Sequence, residues 1–128
     1  MVSTRASVKV SDGRDSFLLY HHCDGYPKGV GLKLCKYIEN NKHRWLIDAS
    51  EIATELVRDY GFDIISRQPG DVEYTYEIDV SKKYNPNRND ITLKCYAVHI
   101  ENHGEYSEND LIDLDSELGE LKNITNWK

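Results

Sequence analysis

This sequence has no long apolar run, and that absence argues against a membrane-spanning protein. No stretch approaches the length of about 20 apolar residues that a membrane-spanning helix needs. The first residues, Met1-Val2-Ser3-Thr4-Arg5, also lack the apolar core of a secretory signal peptide. We therefore expect a cytoplasmic protein without a membrane partner.

Cysteine and proline are scarce, with three of each in 128 residues. Cys23, Cys35 and Cys95 are odd in number and lack the spacing of a disulfide framework, so we expect reduced thiols. The composition, 39% hydrophobic and 30% charged, is typical of a chain that folds. We predict a single domain over residues 1–128, long enough to bury a core without disulfides or metal.

An excess of positive charge is missing as well, since the net charge is −6. Residues 1–100 carry 14 basic and 14 acidic side chains, whereas residues 101–128 carry eight acids and two lysines. The whole excess therefore lies in the C-terminal segment. Non-specific nucleic-acid binding needs a basic surface, so we do not expect it. A loop with Lys82, Lys83, Tyr84 and Arg88 leaves a local basic contact open.

Hydrophobic periodicity predicts two strands and two helices in the first half. Apolar residues alternate from Ala6 to Val10, and a second strand follows the Asp12-Gly13 turn. Pro27 fits the first turn of a helix that ends near Asn40-Asn41. A second helix is capped by Asp48 and stopped by Gly61.

The second half predicts three strands and a final helix. The strands are expected over 62–66, 74–80 and 91–100. Ser107 is expected to cap an acidic helix over about 107–122, with an apolar stripe formed by Leu111, Leu114, Leu118 and Leu121. The order β-β-α-α-β-β-β-α favours an α+β fold, with an antiparallel sheet of 4–5 strands and the helices packed on one face.

The segment Tyr20–Gly31 is the candidate site, because it is a polar, glycine-rich turn between a strand and a helix. Gly25 and Gly29 would let a ligand approach the backbone, and a helix N-terminus attracts anions. Arg5 and Lys28 add positive charge. The ligand-binding residues that we predict are Arg5, Tyr20, His22, Asp24, Gly25, Tyr26, Lys28 and Gly29. Together they could hold a phosphate or carboxylate, with Tyr20 or Tyr26 stacking on a base.

Two other kinds of chemistry were weighed for the same segment. Adjacent residues on a strand point to opposite faces, so His21 and His22 diverge, and we expect neither a metal site nor another cofactor. A small enzyme remains the alternative, with His22 as base, Asp24 as its orienting group and Cys23 as nucleophile on a phosphate-bearing or nucleotide substrate. The glycines could also serve turn geometry alone.

The pattern Thr4-Arg5 followed by Tyr20-x-His22-x-Asp24-Gly25-Tyr26-Pro27 resembles a group of short bacteriophage and prophage proteins. The resemblance covers about residues 3–40. That group has no assigned activity, but small accessory phage proteins often counter host defences. The resemblance implies residence in the host cytoplasm. It also leaves open that these residues are a signature of the fold, with Arg5 paired to Asp24.

These observations favour a non-enzymatic, phage-type binding protein that interferes with a host defence system. Its partner would be a defence protein, contacted by the acidic helix or by tyrosine-rich strands, or a nucleotide signalling molecule held at Arg5 and the turn. Nine tyrosines against two phenylalanines suit an interface or a ligand groove. A homodimer is plausible, because sheet edges and the leucine stripe both need cover.

Overall fold

A computed structural model describes residues 3–44, 47–81, 90–102 and 104–123. Its centre is a six-stranded sheet in the order β3-β2-β1-β4-β5-β6. The strands are β1 (Ala6–Ser11), β2 (Ser16–His21), β3 (Asp63–Ile65), β4 (Tyr74–Ser81), β5 (Asp90–Ala97) and β6 (Leu111–Ile112). The predicted basic loop at 82–88 lies outside the described residues.

Strand pairing confirms the α+β class and adds two features to it. Neighbouring strands are antiparallel except β1 and β4, which run parallel in the middle of the sheet. The sheet has six strands instead of four or five, because Leu111–Ile112 pairs with Cys95 and Tyr96 of β5. The parallel pair arises because two strands and two helices intervene between β1 and β4, which allows the chain to cross back.

The helices pack on one face of the sheet, as predicted. They are α1 (Leu32–Asn41), α2 (Ala49–Tyr60) and α3 (Leu114–Leu118). The core between helices and sheet includes fully buried Val8, Leu19, Tyr76, Ile78 and Cys95. Within the described parts of the chain, none of the helices has the length and apolar character required to cross a membrane.

Local signals fix both ends of α2. The Asp48 carboxylate accepts a hydrogen bond of 2.8 Å from the backbone N–H of Glu51. Gly61 follows the helix with a φ of 78°, the left-handed conformation that glycine adopts without strain. The predicted start and stop of this helix are therefore confirmed.

A hydrogen-bonded network joins the end of α1 to α2. The hydroxyl of fully buried Tyr37 donates to Glu55 at 2.8 Å, and Arg44 approaches the same carboxylate oxygen at 2.6 Å. Arg44 also contacts Glu51 at 3.0 Å. The Arg44 hydrogen bond is the main reason that the pKa of Glu55 is lowered.

The predicted helix over about 107–122 is wrong in its extent. Ser107 caps only a single turn over Glu108–Asp110, and the chain then joins the sheet as β6. Asp113 caps α3 by accepting from the N–H groups of Asp115 and Ser116, and Gly119 ends it with a φ of 52°. Asp113 is a good N-cap, so the helix starts there, while the backbone before it pairs with β5.

The network predicts a specific loss of stability in acid. The depressed pKa of Glu55 means that the unfolded chain binds a proton more readily, so this contribution is present above about pH 5 and is lost as pH falls through the folded-state pKa. In a Glu55→Gln variant the melting temperature should decrease less between neutral and acid pH than in the wild type. Parallel melting curves with Asp63→Asn, an exposed strand carboxylate, provide the control. Equal acid sensitivity of wild type and Glu55→Gln would show that the network does not make this contribution.

Candidate functional site

The segment Asp24–Gly29 forms a tight turn against the start of β1. Asp24 adopts a φ of 55°, which is uncommon for a residue with a side chain. Its carbonyl accepts from the N–H of Val30 at 2.7 Å, and the N–H of Gly25 donates to the carbonyl of Thr4 at 2.9 Å. A π-helical turn over Pro27–Gly31 then leads directly into α1. The backbone of the turn is therefore bonded largely to the protein itself.

The glycines of this turn are enclosed by other parts of the chain. A Cβ atom on Gly25 would lie 2.8 Å from the Cβ of Ala6, and one on Gly29 would overlap the carbonyl oxygen of Asp24. The carbonyl of Gly25 accepts from the hydroxyl of Tyr76 at 2.7 Å inside the core. These contacts support the interpretation of Gly25 and Gly29 as parts of the fold, since the space that a side chain would take is already filled.

Three predicted ligand residues come together beside the turn. The hydroxyl of Tyr20 lies 3.2 Å from Nδ1 of His22, and the two rings are 6.2 Å apart. Arg5 also interacts with the Tyr20 hydroxyl, whose pKa is raised by burial and by the charge of Asp71. The guanidinium of Arg5 pairs with Asp71 at 3.2 Å. The pairing of Arg5 with Asp24 considered from the sequence is therefore corrected to Asp71.

The remaining predicted side chains are held differently. The hydroxyl of Tyr26 donates to Asp24 at 3.1 Å, which raises the pKa of Tyr26. Lys28 is exposed on the π-helical turn. The structure thus separates the eight predicted residues into an Arg5–Tyr20–His22 group, an Asp24–Tyr26 pair, two packed glycines and an exposed lysine.

His21 points away from His22, as the strand period predicts. Its Nδ1 donates to the carbonyl of Cys23 at 2.6 Å, and Lys33 approaches its Nε2 at 3.5 Å. Burial is the first reason that the pKa of His21 is lowered. The ring packs edge-on against Phe62, with centroids 4.8 Å apart. Burial at the margin of the core therefore favours the neutral form of His21 by lowering its pKa.

The arrangement needed by the enzymatic alternative is not assembled among the described residues. The hydrogen bond of His22 goes to Tyr20 and that of Asp24 goes to Tyr26, so neither side chain orients the other or activates Cys23. In the same part of the chain, no three His, Cys, Asp or Glu side chains are grouped as metal ligands.

Sequence reasoning missed a polar network on the sheet face opposite the helices. Ser7 and Thr75 are buried there, with their hydroxyls 2.6 Å apart, and Ser7 also donates to Gln68 at 2.7 Å. Nearby, the hydroxyl of Tyr106 donates to Glu77 at 2.7 Å. The alternation in the strands predicted which positions face away from the helices. It did not predict the segment that covers those positions.

The four strand tyrosines, Tyr20 included, are either buried or half-buried. Tyr76 is fully buried, Tyr96 is 2% exposed and Tyr74 is half-buried. Burial, together with Glu77 and Glu108, raises the pKa of Tyr96 to about 12. The tyrosine-rich strands are mainly interior, so they do not offer the aromatic binding surface expected from composition.

A groove lined by both apolar and charged side chains was also missed. It has a volume of about 640 Å³ and lies between α1, β5 and the segment 111–115. Its apolar lining includes Cys35, Ile38, Ile91, Leu93 and Leu114. The helical spacing predicted that Ile38 lies on the apolar face of α1, but no pattern in the sequence indicated that a groove remains between α1 and β5.

Comparisons with protein families, curated proteins and solved structures give no significant match for this chain. The resemblance to short phage proteins therefore stays a prediction, and function must be argued from the geometry.

The close packing predicts that Gly29 cannot accept a side chain. Gly29→Ala should lower the free energy of unfolding by about 3 kcal/mol or more, because the methyl group overlaps the Asp24 carbonyl and forces the backbone to move. Urea denaturation measures the difference, and Lys28→Ala, at the exposed neighbouring position, should stay close to wild type. A Gly29→Ala protein as stable as wild type would show that the turn has room at this position.

Proposed function

We propose that this chain is a non-enzymatic, phage-type binding protein that counters a host defence protein through its acidic segment, residues 101–120. The observation that carries the proposal is the exposure of three carboxylates of this segment. Glu105, Glu117 and Glu120 are exposed. Within the described residues, none of these three carboxylates is paired with a lysine or arginine.

The acidic segment is held in place by apolar anchors. Leu114 and Leu118 of α3 are buried in the core, and Leu114 lies near the start of α1. The carboxylates of α3 are therefore fixed to a folded element, which lowers the entropy lost when a partner binds. A fixed array of negative charge complements a basic protein surface and accelerates the encounter with it.

The turn supports a ligand-binding role less well than the sequence suggested. Other atoms already occupy the space beside its glycines. The Asp24 carbonyl and the Gly25 N–H are hydrogen-bonded to the backbone, and Arg5 is paired with Asp71. A phosphate would have to compete with each of these contacts. These contacts favour the protein-binding version of the proposal over capture of a nucleotide.

The acidic segment can be tested by charge reversal. Glu117→Lys/Glu120→Lys should lose a host protein that wild type retains in an affinity pull-down from bacterial lysate, because two attractions become repulsions. The matched control, Asp15→Lys/Asp63→Lys, makes the same change in net charge at exposed positions elsewhere. Retention should also weaken as salt is added. Equal loss in both variants would mean that net charge, and not the acidic segment, is what the partner recognises.

A second candidate function, sequestration of a nucleotide signal, is favoured by one specific observation. Arg5, Tyr20 and His22 lie side by side, and they offer a guanidinium, a phenol and an imidazole at a partly exposed position. Arginine binds phosphate with two hydrogen bonds, and an aromatic ring can stack on a base.

The nucleotide candidate is separated from the first by two variants at one ion pair. A ligand at about 100 times its dissociation constant stabilises the fold by about 2.7 kcal/mol, which a thermal-shift screen of linear and cyclic nucleotides detects. Arg5→Ala should abolish that shift. Asp71→Asn should preserve or enlarge it, because it frees the guanidinium from its present partner. No shift in wild type, or an equal shift in Arg5→Ala, would eliminate this candidate.

A further inference from the structure

Strand β5 has one fully paired side and one side that is largely free. Every residue from Asp90 to Ala97 faces a residue of β4, but β6 pairs only with Cys95 and Tyr96. Within the described structure, no strand pairs with 90–94 on the side away from β4. A free strand edge presents backbone donors and acceptors that another strand can bind.

The direction of each backbone group on this edge follows from one hydrogen bond. The N–H of Val98 donates to the carbonyl of Glu73 at 2.8 Å, on the β4 side. Antiparallel pairing alternates the direction at each residue, so Lys94, Thr92 and Asp90 also direct their backbone groups toward β4. Ile91 and Leu93 therefore direct their N–H and C=O groups outward, away from β4.

Residues 90–94 can pair with the same five residues of a second copy that runs in the opposite direction. Their order is Asp90-Ile91-Thr92-Leu93-Lys94. We propose that two copies of this chain form a dimer by antiparallel pairing of β5 with the partner's β5, in a register centred on Thr92. The two-fold axis then passes between Thr92 and the partner's Thr92, so that each copy contributes the same surface.

This register satisfies the backbone. Ile91 faces the partner's Leu93, and Leu93 faces the partner's Ile91, so the outward-directed residues meet each other. Each of these pairs exchanges two N–H···O=C bonds, as in the hydrogen-bonded positions of an antiparallel sheet. Moving the centre by half a residue would place an outward-directed residue opposite an inward-directed one. Moving it by a whole residue would keep the backbone pattern but would no longer place Asp90 opposite the partner's Lys94.

The side chains agree with the same register. Asp90 faces the partner's Lys94, and Lys94 faces the partner's Asp90, in the non-hydrogen-bonded positions where side chains approach most closely. Asp90 and Lys94 are both exposed, and within one copy neither takes part in an ion pair among the described residues. Charges on a strand edge usually prevent pairing, but here they are opposite at the positions that meet.

The groove between α1, β5 and the segment 111–115 lies on the helix-bearing side of this edge. Ile91 and Leu93 are half-buried and line the groove with Cys35 and Ile38 of α1. A two-fold axis perpendicular to the sheet keeps the helices of both copies on the same side. The partner's Ile91 and Leu93 would therefore extend the apolar surface next to the groove and remove part of it from water.

The test is a charge swap followed by measurement of mass in solution. Sedimentation velocity of wild type should give a species of about twice 14.8 kDa that dissociates on dilution. Asp90→Lys and Lys94→Asp should each weaken the dimer by about tenfold or more, because two symmetry-related attractions become like-charge contacts. The double variant Asp90→Lys/Lys94→Asp should restore it, since opposite charges face each other again.

Two outcomes would overturn the dimer proposal. Wild type that remains monomeric up to sub-millimolar concentration excludes pairing at this edge. A dimer that survives both single variants, or one that the double variant does not restore, places the interface elsewhere. Circular dichroism checks that each variant is folded, and Ser16→Lys, an exposed change on β2, is the matched control. The readout is independent of any host partner, so the function proposed above stands or fails separately.

Discussion

The hydrogen bond from the Tyr76 hydroxyl to the Gly25 carbonyl joins the sheet to the turn that precedes α1. Tyr76 is fully buried on the central strand β4, and its oxygen lies 2.7 Å from the turn. Burial raises the pKa of this hydroxyl, so it stays protonated and can donate. The bond fixes the turn onto the sheet, and the turn sets the direction in which α1 leaves it.

Close packing around this bond explains the glycines better than ligand access does. Gly31 lies against the Tyr76 ring, and a Cβ there would come within 3.2 Å of the hydroxyl. The side chain of Leu114 of α3 also lies close to Gly31. Strand β4, the turn, α1 and α3 are thus interdependent. A buried tyrosine hydroxyl without a partner would cost free energy, so the glycine carbonyl and the tyrosine stabilise each other.

The two proposed binding surfaces are related through the edge of β5. Asp113 and Asp115 line the groove at the start of α3, next to Lys94. A dimer through β5 would hold two acidic segments in one particle. Two linked copies bind a partner with repeated basic sites more tightly than either copy alone, without any new contact. The pairing of Asp90 with the partner's Lys94 would offset part of the repulsion between the acidic segments.

Most of the fold could be predicted from local signals in the sequence. The alternation in β1 and β4, the Asp48 cap and the Gly61 stop all depend on neighbouring residues, and each was predicted from the sequence. The prediction of one long final helix was wrong because the spacing of its leucines is only a local signal. The pairing of Leu111–Ile112 with β5 depends instead on residues far away in the chain. For the candidate site, the structure brings Arg5, Tyr20 and His22 together out of the eight residues named from the sequence. The link from Arg5 to Asp71 joins distant segments and was not predicted.

The sequence by itself therefore determined the α+β class, the start and stop of α2, the end of α1 near Asn41, the divergence of His21 from His22 and the concentration of negative charge after residue 100. Each follows from residue period, capping chemistry or composition, which need no knowledge of distant contacts. The sequence placed the start of the first helix at Pro27, but a π-helical turn occupies Pro27–Gly31 and α1 begins at Leu32. Only the tertiary structure decided that other atoms occupy the space beside the glycines, that Tyr96 is buried on the face opposite the helices, and that no strand among the described residues pairs with 90–94 on the outer side of β5. These features depend on which surfaces meet in space. Nothing in the sequence around Gly25 indicates that the hydroxyl of Tyr76 will bond to its carbonyl.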